Sequence, residues 1–173
     1  MNEDRKQTID KIVEDLRQKY LKEDEIDWKA VSDNYQILHL HSPRFFVPFA
    51  LKIGGTYVVF TSPLVKSRGG IDYTAHEYGH VLLGHLDKES ASYELPESEH
   101  ESETNYFAKS LVGEVKDEKV PFWREWCAEL RYSEASNFSS SGSKTLWQHY
   151  LVSYIQNQAR KELSRRKKLR NQK

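Results

Sequence analysis

His76-Glu77-Tyr78-Gly79-His80, running on into Val81-Leu82-Leu83, restricts this chain more than any other stretch. On a helix, residues i and i+4 stack one turn apart on the same face. Two imidazoles so placed can grip one zinc ion at about 2.0–2.1 Å each. The pattern therefore asks for a helix here, and the aliphatic residues after it give that helix a side to bury. Glu77 follows the first histidine and leans over the metal. From there it can take a proton from a water whose pKa zinc lowers to about 7, and pass it to a leaving amine. The bland alternative is a pair of ordinary surface histidines.

A catalytic zinc takes three protein ligands and keeps one position open. The third must come from outside the pentapeptide. His85 lies five residues beyond His80, about 140° away around a continuous helix, so it is expected to pack or cap near the helix end. It also misses the longer spacing of the metzincins. Glu99, His100, Glu101 and Glu103 remain, all at the start of the next helix, and the residues alone do not choose among them.

The surrounding elements follow from periodicity. Ile9, Ile12, Val13, Leu16 and Tyr20 repeat at helical spacing. A short helical piece begins at Asp27-Trp28-Lys29-Ala30-Val31. The run from Tyr35 to Leu40 reads as a strand. Ala50 to Ile53 and Thr56 to Phe60 flank Gly54-Gly55, a hairpin signal. Thr56 to Phe60 is also the expected edge for an extended peptide. Arg68-Gly69-Gly70 ends the β region, and a helix is expected from Ile71 to Leu86. Residues 87–100 read as an acidic loop. The next helix runs through ESETNYFAKSLV, with Phe107, Ala108 and Leu111 inward. Further helices are expected around Phe122 to Leu130 and through Trp147, Tyr150, Leu151, Tyr154 and Ile155. The fold class is α+β: a small antiparallel sheet packed with the active-site helix and several further helices.

Lys plus Arg and Asp plus Glu both number 26 in 173 residues, so global charge points to neither nucleic acid nor an anionic membrane. The single cysteine, Cys127, excludes a disulfide framework within one chain and reads as a small buried residue. With no apolar leader at MNEDRKQTID and no span of about 20 apolar residues, the expectation is a cytoplasmic protein. Phe122, Trp123, Trp126 and Trp147 read as core. The basic end, Arg160, Lys161, Arg165, Arg166, Lys167, Lys168 and Arg170, could touch DNA, or could simply complement a helix C-terminus. Tyr93, Tyr106 and His149 have the chemistry to stabilise an oxyanion.

TAHEYGHVLLGH followed by ESETNYFAKSLV resembles the ImmA/IrrE metallopeptidases. Their pattern is similar to A-H-E-x-G-H-x-x-L-G-H, a variable loop, then E-x-E-A-N-x-F-A-x-x-L-L. The resemblance covers about residues 50 to 112. It implies a zincin-like domain over residues 1–160 followed by a basic tail, 161–173. It implies His76, His80 and Glu101 as ligands of one zinc ion and Glu77 as general base. Glu103 then stands behind the ligands or in solvent, with a ligand role as the alternative, and Asn105 helps fix its helix. The implied function is a zinc endopeptidase cleaving a helix-turn-helix repressor, so releasing mobile-element or stress genes. The alternative is a zinc-containing regulator that works by protein or DNA contact without proteolysis. Three departures bear on this: Thr104 stands where the family has Ala, Val112 to Val115 is more polar than usual, and the last third carries no family pattern.

Overall fold

Capping side chains start the first three helices of the computed structural model, which describes residues 1–41, 48–53, 55–62, 66–87, 96–116 and 161. In α1 (Glu3–Tyr20), the Asn2 side chain accepts from the Arg5 amide at 2.8 Å. The expected stripe is inward: Ile9, Val13 and Leu16 are buried. A tight turn through Glu23 and Asp24, both with left-handed φ, joins β1 (Leu21–Lys22) to β2 (Glu25–Ile26). Asp27 then caps α2 (Trp28–Asn34) by accepting from the Ala30 amide at 2.9 Å. Chain reversal at Tyr35 and Gln36 shortens the expected strand to β3 (Leu38–His41).

β4 (Phe49–Ile53) and β5 (Thr56–Thr61) form the expected hairpin, with Ile53 opposite Thr56. The sheet is nevertheless mixed rather than antiparallel, because β3 pairs with β5 in parallel, in the order β3-β5-β4. The composition of β5 accounts for this. Val58, Val59 and Phe60 are all at most 1% exposed, a continuous apolar run that needs cover on both faces and a partner on both edges. β5 is thus central, and the edge expected at Thr56–Phe60 belongs to its neighbours β3 and β4. Where the β region was expected to end, Gly69-Gly70 instead turns β6 (Ser67–Arg68) back onto β7 (Ile71–Asp72).

The helix expected from Ile71 is α3 (Tyr73–Leu82), shorter at both ends. Asp72 caps it by accepting from the Ala75 amide at 2.8 Å, and the chain leaves helical geometry after Leu82. α4 (Glu97–Val112) starts earlier than expected and takes in residues 97–100. α3 packs on α4 and on β4 and β5, and α4 packs on α1. Phe107, Ala108 and Leu111 face inward as expected, joining Ile9, Val31, Ile37, Val59 and Tyr78 in one core.

The chain divides into two compact units, Met1–Lys119 and Val120–Lys173. Apart from Lys161, the second unit lies outside the described residues. So do the expected helices there, Cys127, the tryptophan cluster, His149, nearly all of the basic tail and the end of the expected 1–160 domain. Among the described residues, no helix is long and apolar enough to cross a membrane.

Candidate metal centre

The close approach of α3 and α4 builds the site. Gly79 is where they nearly touch: a Cβ there would meet Phe107 Cδ1 at 3.0 Å and Thr104 Cγ2 at 3.2 Å. Thr104, the departure from the family pattern, is fully buried and fills the space above Gly79. That contact brings the first turns of α4 over His76 and His80.

Donor atoms from three residues converge. His76 Nε2 and His80 Nε2 are 3.2 Å apart. Glu101 Oε2 is 3.3 Å from His76 Nε2, and Glu101 Oε1 is 3.3 Å from His80 Nε2. About one tetrahedral ion with bonds of about 2.0–2.1 Å, neighbouring ligand atoms stand about 3.3–3.4 Å apart. With one Glu101 oxygen facing each imidazole, the spacing of this donor triangle suits such an ion, and the two-imidazole, one-carboxylate set suits zinc. His76 is buried, His80 partly buried and Glu101 exposed, so the group opens to solvent on the carboxylate side. Among the described residues it is the one group of three or more such side chains spaced to hold an ion.

The imidazoles are prepared for ligation. His76 donates from Nδ1 to Asn105 Oδ1 at 2.9 Å, which leaves its Nε2 lone pair facing the triangle. Burial pushes the His76 imidazole below its ordinary range, against the pull of Glu101 and Asn105. Burial, with His76, His85 and His100 nearby, pushes His80 down to about 3. Both are thus neutral at physiological pH, as a metal requires of its ligands.

Glu77 is 6% exposed and is not part of the triangle. Burial, then the charge of Glu101, pushes its carboxyl up to about 8, while a hydrogen bond from the Ala50 amide pulls the other way. That amide lies on β4, the outer strand among the described residues, so the sheet and the carboxylate meet beside the donor atoms. A buried carboxyl close to neutral titration suits proton transfer.

The other candidates have different places. Glu103 is paired with Arg5 and His85, away from the triangle. His100 stacks on His85 at 4.3 Å between ring centroids, and Glu99 lies in the first turn of α4. The Tyr106 hydroxyl donates to Asp10 on α1 at 2.7 Å. Tyr93 lies outside the described residues.

His85 differs most from its sequence reading. It contacts His80, Nδ1 to Nδ1, at 3.2 Å. A continuous helix would carry it away, but Gly84 takes φ +77° and closes a Schellman cap. The His85 amide donates to the His80 carbonyl at 3.0 Å, and the Gly84 amide to the Val81 carbonyl at 3.1 Å. Such a cap brings the residue after the glycine against the residue five before it, here His85 against His80. The glycine in VLLGH was the available signal. Arg5 had none, since 98 positions separate it from Glu103. Compared with family models, with curated proteins and with solved structures, the chain matches none.

Proposed function

We propose that this chain is a zinc-dependent endopeptidase of the ImmA/IrrE kind with a zincin-like catalytic unit. The observation that carries the reading is the donor triangle of His76, His80 and Glu101 with buried Glu77 beside it. His76, His80 and Glu101 would hold the ion. When bound, zinc polarises a carbonyl and lowers the pKa of a water to about 7. Glu77 takes a proton and delivers it to the departing amine. β4, the outer strand of the sheet among the described residues, runs beside Glu77, where an extended peptide would lie.

The substrate we assign is a helix-turn-helix repressor, on the resemblance of TAHEYGHVLLGH and ESETNYFAKSLV to that family. The test is to look for a helix-turn-helix regulator encoded beside the chain's gene and to co-express it with wild type and Glu77→Gln. Wild type is expected to yield regulator fragments. Glu77→Gln is expected to yield none, with zinc content unchanged and cleavage at least about 100-fold slower, the range general-base loss produces. Intact regulator in both cultures overturns the endopeptidase reading. Equal derepression by both proteins replaces it with regulation by contact.

A further inference from the structure

Behind His80 runs a chain of hydrogen bonds that ends on the first turn of α1. Arg5 closes a fork on Glu103: Nε donates to Oε1 at 2.9 Å and Nη2 to Oε2 at 2.8 Å. The same Nη2 donates to the Leu83 carbonyl at 3.2 Å, at the C-terminus of α3. Glu103 Oε2 is 2.9 Å from His85 Nε2, and His85 Nδ1 is 3.2 Å from His80 Nδ1. Glu103 and His85 are 2% and 3% exposed, so water does not stand in for either partner.

With His85 neutral and an ion taking up the His80 Nε2 lone pair, the protons in this chain have one consistent arrangement. A carboxylate whose two oxygens accept from a guanidinium fork is an acceptor toward its next neighbour too. His85 must then donate from Nε2. A neutral imidazole carries one proton, so His85 Nδ1 is an acceptor. His80 must supply the proton between the two Nδ1 atoms, which leaves its Nε2 with a bare lone pair. That atom is the one in the donor triangle. The reverse arrangement would set a bare His85 Nε2 against a carboxylate oxygen 2.9 Å away.

We infer that Arg5, Glu103 and His85 are positioning residues that lock His80 in the Nδ1–H form and so present its Nε2 to the ion. The inference rests on the metal reading above. It assigns the α3 cap glycine a second task, since Gly84 swings His85 into the chain. His76 receives the same service in one step from Asn105, whereas His80 receives it through three residues drawn from two other helices and the α3 cap.

The test reads tautomers directly. In long-range proton–nitrogen correlation spectra of the metal-free full chain at neutral pH, His80 is expected to show a protonated Nδ1 and an unprotonated Nε2. The opposite tautomer, or a doubly protonated His85, overturns the inference. His85→Phe is expected to shift His80 toward the Nε2–H form and to weaken zinc by about 10–100-fold in chelator competition, the usual effect of losing such a partner. His85→Asn, whose Oδ1 replaces the Nδ1 acceptor, is expected to keep the His80 tautomer and restore affinity near the wild-type level. Equal zinc affinity in wild type and His85→Phe overturns the inference and leaves the metal reading standing. A wild-type chain that takes up no zinc removes the metal reading, and the role assigned here falls with it.

Discussion

His76, Glu77 and His80 share one helix, so their relation is set within five positions and helical geometry alone predicts it. Glu101 reaches the same point from α4, and the residues between do not say which acidic side chain of the next helix will arrive. His85 lies at the helix end as its spacing suggests, but Gly84 turns it toward His80 rather than away, a direction that a helix continued through Gly84 does not give. His39 shows how burial tunes a histidine away from this site. Burial, with His41 beside it, pushes His39 down to about 4, and its Nε2 bonds Thr61 Oγ1 at 2.8 Å. The unfolded chain takes up this proton near pH 6.5, whereas the folded chain resists until about pH 4. The His39 contribution is therefore present above pH 6.5 and is lost as pH falls toward 4. His39→Gln should flatten the loss of unfolding free energy across that window by up to about 3 kcal/mol. Urea titrations at a series of pH values measure it, and an unchanged slope would count against the assignment.

Among the elements, helix positions were legible and sheet pairing was not. Capping residues and apolar stripes act within a turn or two, which is why α1 and α2 lie close to where periodicity puts them, whereas α4, with no side-chain cap, starts a turn early. The parallel pairing of β3 with β5 depends on a partner about twenty residues away, and nothing within β3 announces it. The α3–α4 contact at Gly79 carries its own prediction. Gly79→Ala gains about 1 kcal/mol of helix propensity, but forcing a methyl into a packed interface costs about 1–3 kcal/mol. With Phe107 Cδ1 at 3.0 Å and Thr104 Cγ2 at 3.2 Å from the new methyl, the clash should win. Net destabilisation of about 1 kcal/mol is expected, with weaker zinc because Glu101 rides on the displaced helix. Adding Thr104→Ala should recover part of both losses. A double-mutant cycle by chemical denaturation checks this, and simple additivity would contradict it.

Over the whole molecule, the site gathers groups from α1, α3, α4 and β4, so uptake of an ion there would be coupled to folding. An ion held by ligands from two helices binds the folded chain far better than the unfolded one. Zinc at 100 times its Kd should add about 2.7 kcal/mol and raise Tm by about 5–10 °C, reversibly with a chelator. A Tm indifferent to zinc and chelator would show that the ion does not bridge α3 and α4. The overall class was legible as α+β, because alternating helical and strand-like stretches are local signals. The layout of the site was not, because Arg5, Ala50 and Glu101 come together only through packing. The most direct measurement is zinc stoichiometry by elemental analysis on chelator-treated, zinc-refilled full-length protein, in wild type, Glu77→Gln and Glu101→Ala. The account predicts one zinc per chain in wild type and Glu77→Gln, and well below one zinc per chain in Glu101→Ala after the same refilling. No zinc in wild type, or undiminished zinc binding in Glu101→Ala, would contradict it.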